Sequence, residues 1–260
     1  MTSFSSALKP SVLVLAAVLA AGPGAMPAFS QAFDIHAPES TQGEQELEVL
    51  NGANLGSTKG DPDHLRNAHE LKYVYGITNS WMFEMGALLE RPSFDDTRLA
   101  RISLENVLVV KPPVKNGFGF GWFAATEIST SEATHNSVLF GPLIQFNAGK
   151  GEFLINPILH KSFGRNATPG VDLNYIWRAK YEVQHGFALG AMGYGVVEDL
   201  GSSPRFDQQD HRIGPALFFD VPLDKGRELD ISVGTFFGIT SASPEASVLV
   251  NFGIPLHRRR

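Results

Sequence analysis

The 260-residue chain contains no cysteine. This excludes a disulfide framework, a lipid anchor attached through a thiol, and a thiolate zinc site. After residue 32 it also lacks any apolar run near the roughly 20 residues that a membrane-spanning helix requires. Positive charge is short: 21 Lys and Arg against 27 Asp and Glu leave a net charge of −6, the wrong sign for a nucleic-acid partner. Mean hydropathy is −0.04, which on its own describes a soluble protein. Two opposed faces that cancel would give the same average, and the order of the residues shows such faces.

The first residues read as a targeting segment. Lys9 precedes the apolar run Val12–Ala21, which leads into Gly-Pro-Gly and small residues. That order is a secretory signal, too short to span a bilayer as a helix. Cleavage fits after Ser30 or Ala32, and Ala32 is preferred. The expected organisation is a signal peptide over 1–32, a periplasmic lead-in over 33–43, a barrel domain over 44–256 and a basic tail over 257–260.

From residue 44 onward a unit of 10 to 14 alternating residues followed by a turn recurs about a dozen times. In the stretch 171–183, Val171, Leu173, Tyr175, Trp177, Ala179, Tyr181 and Val183 alternate with Asp172, Asn174, Arg178, Lys180 and Glu182. Successive strand side chains point to opposite faces, so one face is apolar and the other charged. Bulky rings on most strands would overfill a small interior. Apolar outside and charged inside is the transmembrane β-barrel arrangement.

Twelve strands are predicted, at 44–54, 66–77, 80–91, 98–110, 117–130, 136–147, 152–163, 170–184, 186–199, 210–221, 227–240 and 245–256. Connections after even strands are short and rich in turn formers. This places the N-terminus, and with an even count both ends, in the periplasm. Tyr73, Tyr75, Trp81, Phe83, Phe118, Phe120, Trp122, Phe146 and Phe187 gather near the predicted periplasmic ends as an aromatic girdle. The fold class is therefore an all-β, closed antiparallel transmembrane barrel of about twelve strands.

The signal segment, Tyr75-Gly-Ile-Thr-Asn-Ser-Trp81, Phe140-Gly-Pro-Leu-Ile-Gln-Phe146 and Arg212-Ile-Gly-Pro-Ala-Leu-Phe218 resemble proteobacterial outer-membrane barrels. They loosely resemble the phenol meta-pathway (MetA-type) outer-membrane family. The resemblance spans most of the mature chain and implies transport or uptake. One departure is the C-terminus, where such barrels usually end on an aromatic residue. Here Leu256 takes that place, followed by His257-Arg-Arg-Arg260. The implied location is the outer membrane of a Gram-negative cell, reached by the general secretory pathway. The implied partners are membrane lipid, lipopolysaccharide, the barrel-assembly machinery and a small solute.

With apolar positions facing lipid, the lumen-lining candidates are Glu70, Lys72, Glu84, Arg101, Glu105, Glu127, Asp172, Arg178, Lys180, Glu182, Arg212, Asp220, Glu228 and Asp230. Glu46, Glu48 and Glu198 share that face. Such groups must pair across strands, as Lys72 with Glu84 or Glu105 with Arg101. Acidic groups outnumber basic ones about two to one, which predicts cation preference if the lumen conducts. A passive, porin-like channel is the leading reading, against a barrel filled by its own side chains that passes nothing.

A membrane-embedded lipid hydrolase is the rival from another class, because His135-Asn136-Ser137 resembles the His-x-Ser pair of outer-membrane phospholipase A. The register opposes it: with Val138 and Phe140 outward, His135 and Ser137 point inward. No third triad member is evident, and the chain is read as a non-enzyme. No cofactor or metal is expected, since the histidines lack ligand spacing and Asp61-Pro-Asp-His64 reads as a solvated loop. The Gly117-Phe-Gly-Phe-Gly121 run lacks the Lys and helix of a phosphate loop, so its glycines are read as easing curvature on the lumen side.

Overall fold

A computed structural model describes residues 33–55, 65–91, 97–132 and 134–256. The signal segment 1–32, the Asp61–His64 loop and the basic tail 257–260 lie outside the described residues. Twelve strands follow one another: β1 (Gln45–Leu55), β2 (Leu65–Thr78), β3 (Trp81–Arg91), β4 (Arg98–Lys111), β5 (Gly117–Ser129), β6 (Asn136–Ala148), β7 (Gly151–Phe163), β8 (Asp172–Gln184), β9 (Phe187–Val197), β10 (Asp210–Pro222), β11 (Glu228–Gly238) and β12 (Ala246–Pro255). Each pairs antiparallel with its neighbours in sequence, and β1 pairs with β12, so the sheet closes into a barrel. Closure leaves no row of unpaired backbone groups at an edge. Every strand end falls within two residues of its sequence-based position.

The alternation sets the faces. Leu71, Leu104, Phe140, Leu189 and Leu217 point outward, 39% to 50% exposed. Phe118, Phe120, Trp122 and Phe146 form a contiguous ring surface on that face near the short-turn end. Trp122 lies flat on Phe140, 5.1 Å away at an interplanar angle of 8°. Phe187 stacks on Phe219 at 5.2 Å.

The interior is more apolar than alternation alone suggests. Phe33, Ile176, Ala188, Met192, Tyr194, Ala216, Phe218, Phe236 and Leu249 form one buried cluster. Val107, Phe123, Ala125, Leu143 and Ile158 form a second. The outward face is apolar too, so these strands carry hydrophobic residues on both faces, as strands covered on both sides do.

Candidate functional site: the barrel lumen

Of the stretch 33–43, expected as a periplasmic lead-in, residues 33–38 are folded inside the barrel and 39–43 lie at its mouth. The segment enters at the short-turn end, where Gly43 N–H donates to the Gly76 carbonyl at 2.8 Å and Ser40 Oγ donates to the Thr78 carbonyl at 2.6 Å. Two glycines admit it. A Cβ on Gly76 would lie 1.9 Å from the Thr41 carbonyl oxygen, and one on Gly121 would lie 3.2 Å from Pro38 Cβ. Of the Gly117–Gly121 run, Gly121 thus faces the lumen and makes room for the entering chain.

Beyond Pro38 the segment is extended, so alternate side chains serve opposite walls. Phe33 and Ile35 pack into the first apolar cluster, with Phe33 4.6 Å from the Phe236 ring and 5.4 Å from Tyr194. Asp34 and His36 face β2, β3 and β4. The backbone is clamped as well: His36 N–H donates to Asn156 Oδ1 at 2.8 Å, and Asn156 Nδ2 donates back to the His36 carbonyl at 3.0 Å. The His36 ring stacks on Phe123 at 4.3 Å.

At the meeting point sits Lys72, only 1% exposed. Its ammonium contacts Asp34, Glu105 at 2.6 Å and Glu84 at 3.4 Å. His36 adds contacts from Nε2 to Asp34 Oδ2 at 3.0 Å and from Nδ1 to Glu84 Oε1 at 3.4 Å. The expected Lys72–Glu84 pair is thus present. Glu105, however, meets Lys72 rather than Arg101, because Arg101 lies nearer the opposite end of the barrel and reaches across to Glu127 on β5 at 2.9 Å.

The other lumen charges fall into separate groups. Arg178 and Lys180 both hold Glu152, at 2.8 Å and 3.3 Å. Arg212 is bound by Asp210, donates to Asn54 Oδ1 at 2.6 Å and Ser247 Oγ at 2.7 Å, and lies over the Phe33 and Tyr194 rings. Asp220, Glu228 and Asp230 lie exposed at the short-turn rim, and Glu182 is exposed near the same end of β8. Glu70 joins Lys72, Arg101, Glu105 and Glu127 around a cavity of about 130 Å³, whose apolar wall includes Phe123, Leu139 and Ile158.

Ser137 is 1% exposed inside the lumen, while Val138 and Phe140 point outward at 43% and 50% exposure. Its hydroxyl meets His160 Nε2 at 2.9 Å, and His160 Nδ1 meets Asp172 Oδ2 at 3.1 Å. Asp172 also accepts the Asp199 N–H at 2.9 Å. The connectivity is that of a serine–histidine–aspartate relay, with its serine enclosed in the lumen and turned away from the outer face. The chain of bonds instead ties three strands to the loop beyond β9. Spacing along the sequence points to His135 as the partner of Ser137; the structure supplies His160 from the next strand instead.

Sequence reasoning missed Asp34, His36, Glu152, Asp210 and His160. For the first two a signal existed: Phe-Asp-Ile-His at 33–36 alternates like a strand.

No protein family profile and no curated protein matches the sequence. Among solved structures, the fold is similar to that of the NanC porin, with a TM-score of 0.55 at 10% identity over 82% of this chain and 100% of that one. It is also similar to the COG4313 outer membrane channel from Pseudomonas putida F1, with a TM-score of 0.59 at 11% identity over 86% of this chain and 99% of that one.

Proposed function

We propose that the chain is an outer-membrane channel that lets small solutes cross passively, and that it carries no enzymatic activity. The observation that carries this reading is the closed ladder itself, apolar outside and charged within. A bilayer core accepts only structures whose backbone groups are internally paired, and the apolar belt then meets lipid while the ionised groups line a path. Export through the secretory pathway with loss of 1–32, insertion by the barrel-assembly machinery and contact with lipopolysaccharide belong to the same proposal. The meta-pathway-like motifs are the reason to expect apolar or aromatic cargo. The two similar channel folds support the reading.

Lipid hydrolysis is not favoured, because His135 and Ser137 are directed away from the outer face. The filled lumen, with Lys72, Leu143, Leu154, Met192 and Leu249 all fully buried, favours a second reading, a barrel without flux. Liposome swelling separates the two. Vesicles carrying the protein should swell in small sugars or aromatic acids faster than empty vesicles. Equal rates would leave only the structural barrel.

A further inference from the structure

We propose that Asp34, His36 and Glu105 bind one divalent transition cation, such as Zn2+ or Mn2+, and thereby pin the N-terminal segment to the barrel wall. The ligand atoms come from that segment and from β4, and together with Glu84 of β3 they lie within 4.8 Å of one another. His36 Nε2 is 3.0 Å from Asp34 Oδ2 and 3.7 Å from Glu105 Oε2. Ligand atoms bound tetrahedrally at about 2.0–2.1 Å stand about 3.3–3.4 Å apart, and these two distances lie on either side of that spacing. The other ring nitrogen, Nδ1, already faces Glu84 at 3.4 Å. A carboxylate behind a histidine is the outer-shell arrangement that orients an imidazole ligand. Two carboxylates and one imidazole suit a borderline cation better than Ca2+ or Mg2+, which take oxygen ligands.

Two further observations point to an ion. Asp34, Glu84 and Glu105 surround the Lys72 ammonium and the His36 ring, and Glu70 and Glu127 line the same cavity with Arg101, so five carboxylates face two permanent cations here. Independently, Ser103 Oγ, in a residue 4% exposed, has no hydrogen-bond partner among the described residues and lines that cavity. It stands beside Glu70: a Cβ on Gly86 would lie 2.4 Å from Ser103 Oγ and 2.8 Å from Glu70 Oε1. An arriving ion displaces the Lys72 ammonium, and Ser103 and Glu70 are placed to receive it.

The test uses the tag-free mature chain in detergent micelles, stripped with EDTA and titrated with Zn2+ alone in a calorimeter. One ion should bind per chain. His36→Ala and Asp34→Asn should weaken binding at least about tenfold, the scale on which even outer-shell losses act. His69→Ala, on the outer face, should leave it unchanged. Lys72→Met should bind more tightly, since the competing ammonium is gone. In the Mn2+ form, electron spin-echo spectra should show one coupled nitrogen that His36→Ala abolishes. Both weakening substitutions lie outside the strands, and heat-modifiable gel migration checks that the barrel has formed. Absence of saturable Zn2+ binding, unchanged affinity in His36→Ala, or a nitrogen coupling that survives it would each overturn the proposal. Binding is read without flux, so this result and that of the channel reading are independent.

Discussion

Replacing Lys72 by Met removes the one ammonium held among Asp34, Glu84 and Glu105 while nearly keeping side-chain volume. Lys72 is 1% exposed and within 3.4 Å of both strand glutamates. Removing one partner of a buried ion group leaves uncompensated charge and costs about 3–5 kcal/mol, far more than an exposed pair. The loss should shrink when Glu105 is also replaced by Gln, because one stranded carboxylate is then gone. The two substitutions should be coupled by at least about 0.5–3 kcal/mol. The assay is urea unfolding in phospholipid vesicles with EDTA present, followed by tryptophan fluorescence and gel migration. A Lys72→Met loss under about 1 kcal/mol, or strict additivity of the pair, would show that the cluster is solvated and that the packing argument is wrong.

Leu104, mid-strand on β4 and outward, should cost about 2–4 kcal/mol when changed to Arg, measured by unfolding in vesicles, because charge would enter hydrocarbon. A neutral outcome would mean that this face meets water. Replacing Glu228 and Asp230 by Gln and Asn should lower cation preference in reversal-potential measurements, more so at low salt, where screening is weaker. Anion preference in the unmodified protein would contradict this. Arg212→Ala should free the N-terminal segment to proteolysis, because its guanidinium covers the Phe33 ring at 5.6 Å; unchanged protection would show that Arg212 does not retain the segment.

The barrel was legible because its signal is physical and repeated. Tyr175, Trp177 and Tyr181 alternate with charges, and the short connections after even strands fix the parity. The lumen was less legible for three reasons. Inward apolar residues such as Leu143, Leu154 and Leu249 look, in sequence, like outward ones. A strand such as Phe153-Leu-Ile-Asn-Pro-Ile-Leu159 announces that both faces are covered, but not by what. Pairing also depends on register. Glu105 prefers Lys72 to Arg101, and Ser137 prefers His160 to His135, because the partners lie across strands. The segment Phe33–Ser40 forms no ladder and alternates clearly over only four residues, Phe33–His36, a period that signals an extended chain but not where it lies.

The account's central claim is a closed transmembrane barrel whose path is narrowed by its own residues 33–43. Single-channel recording in planar bilayers tests it most directly, comparing the mature chain with one lacking those residues. The account predicts small conductance steps for the mature chain and larger, sustained steps for the shortened one. Identical conductance in both, or none in either with both barrels folded, would contradict it.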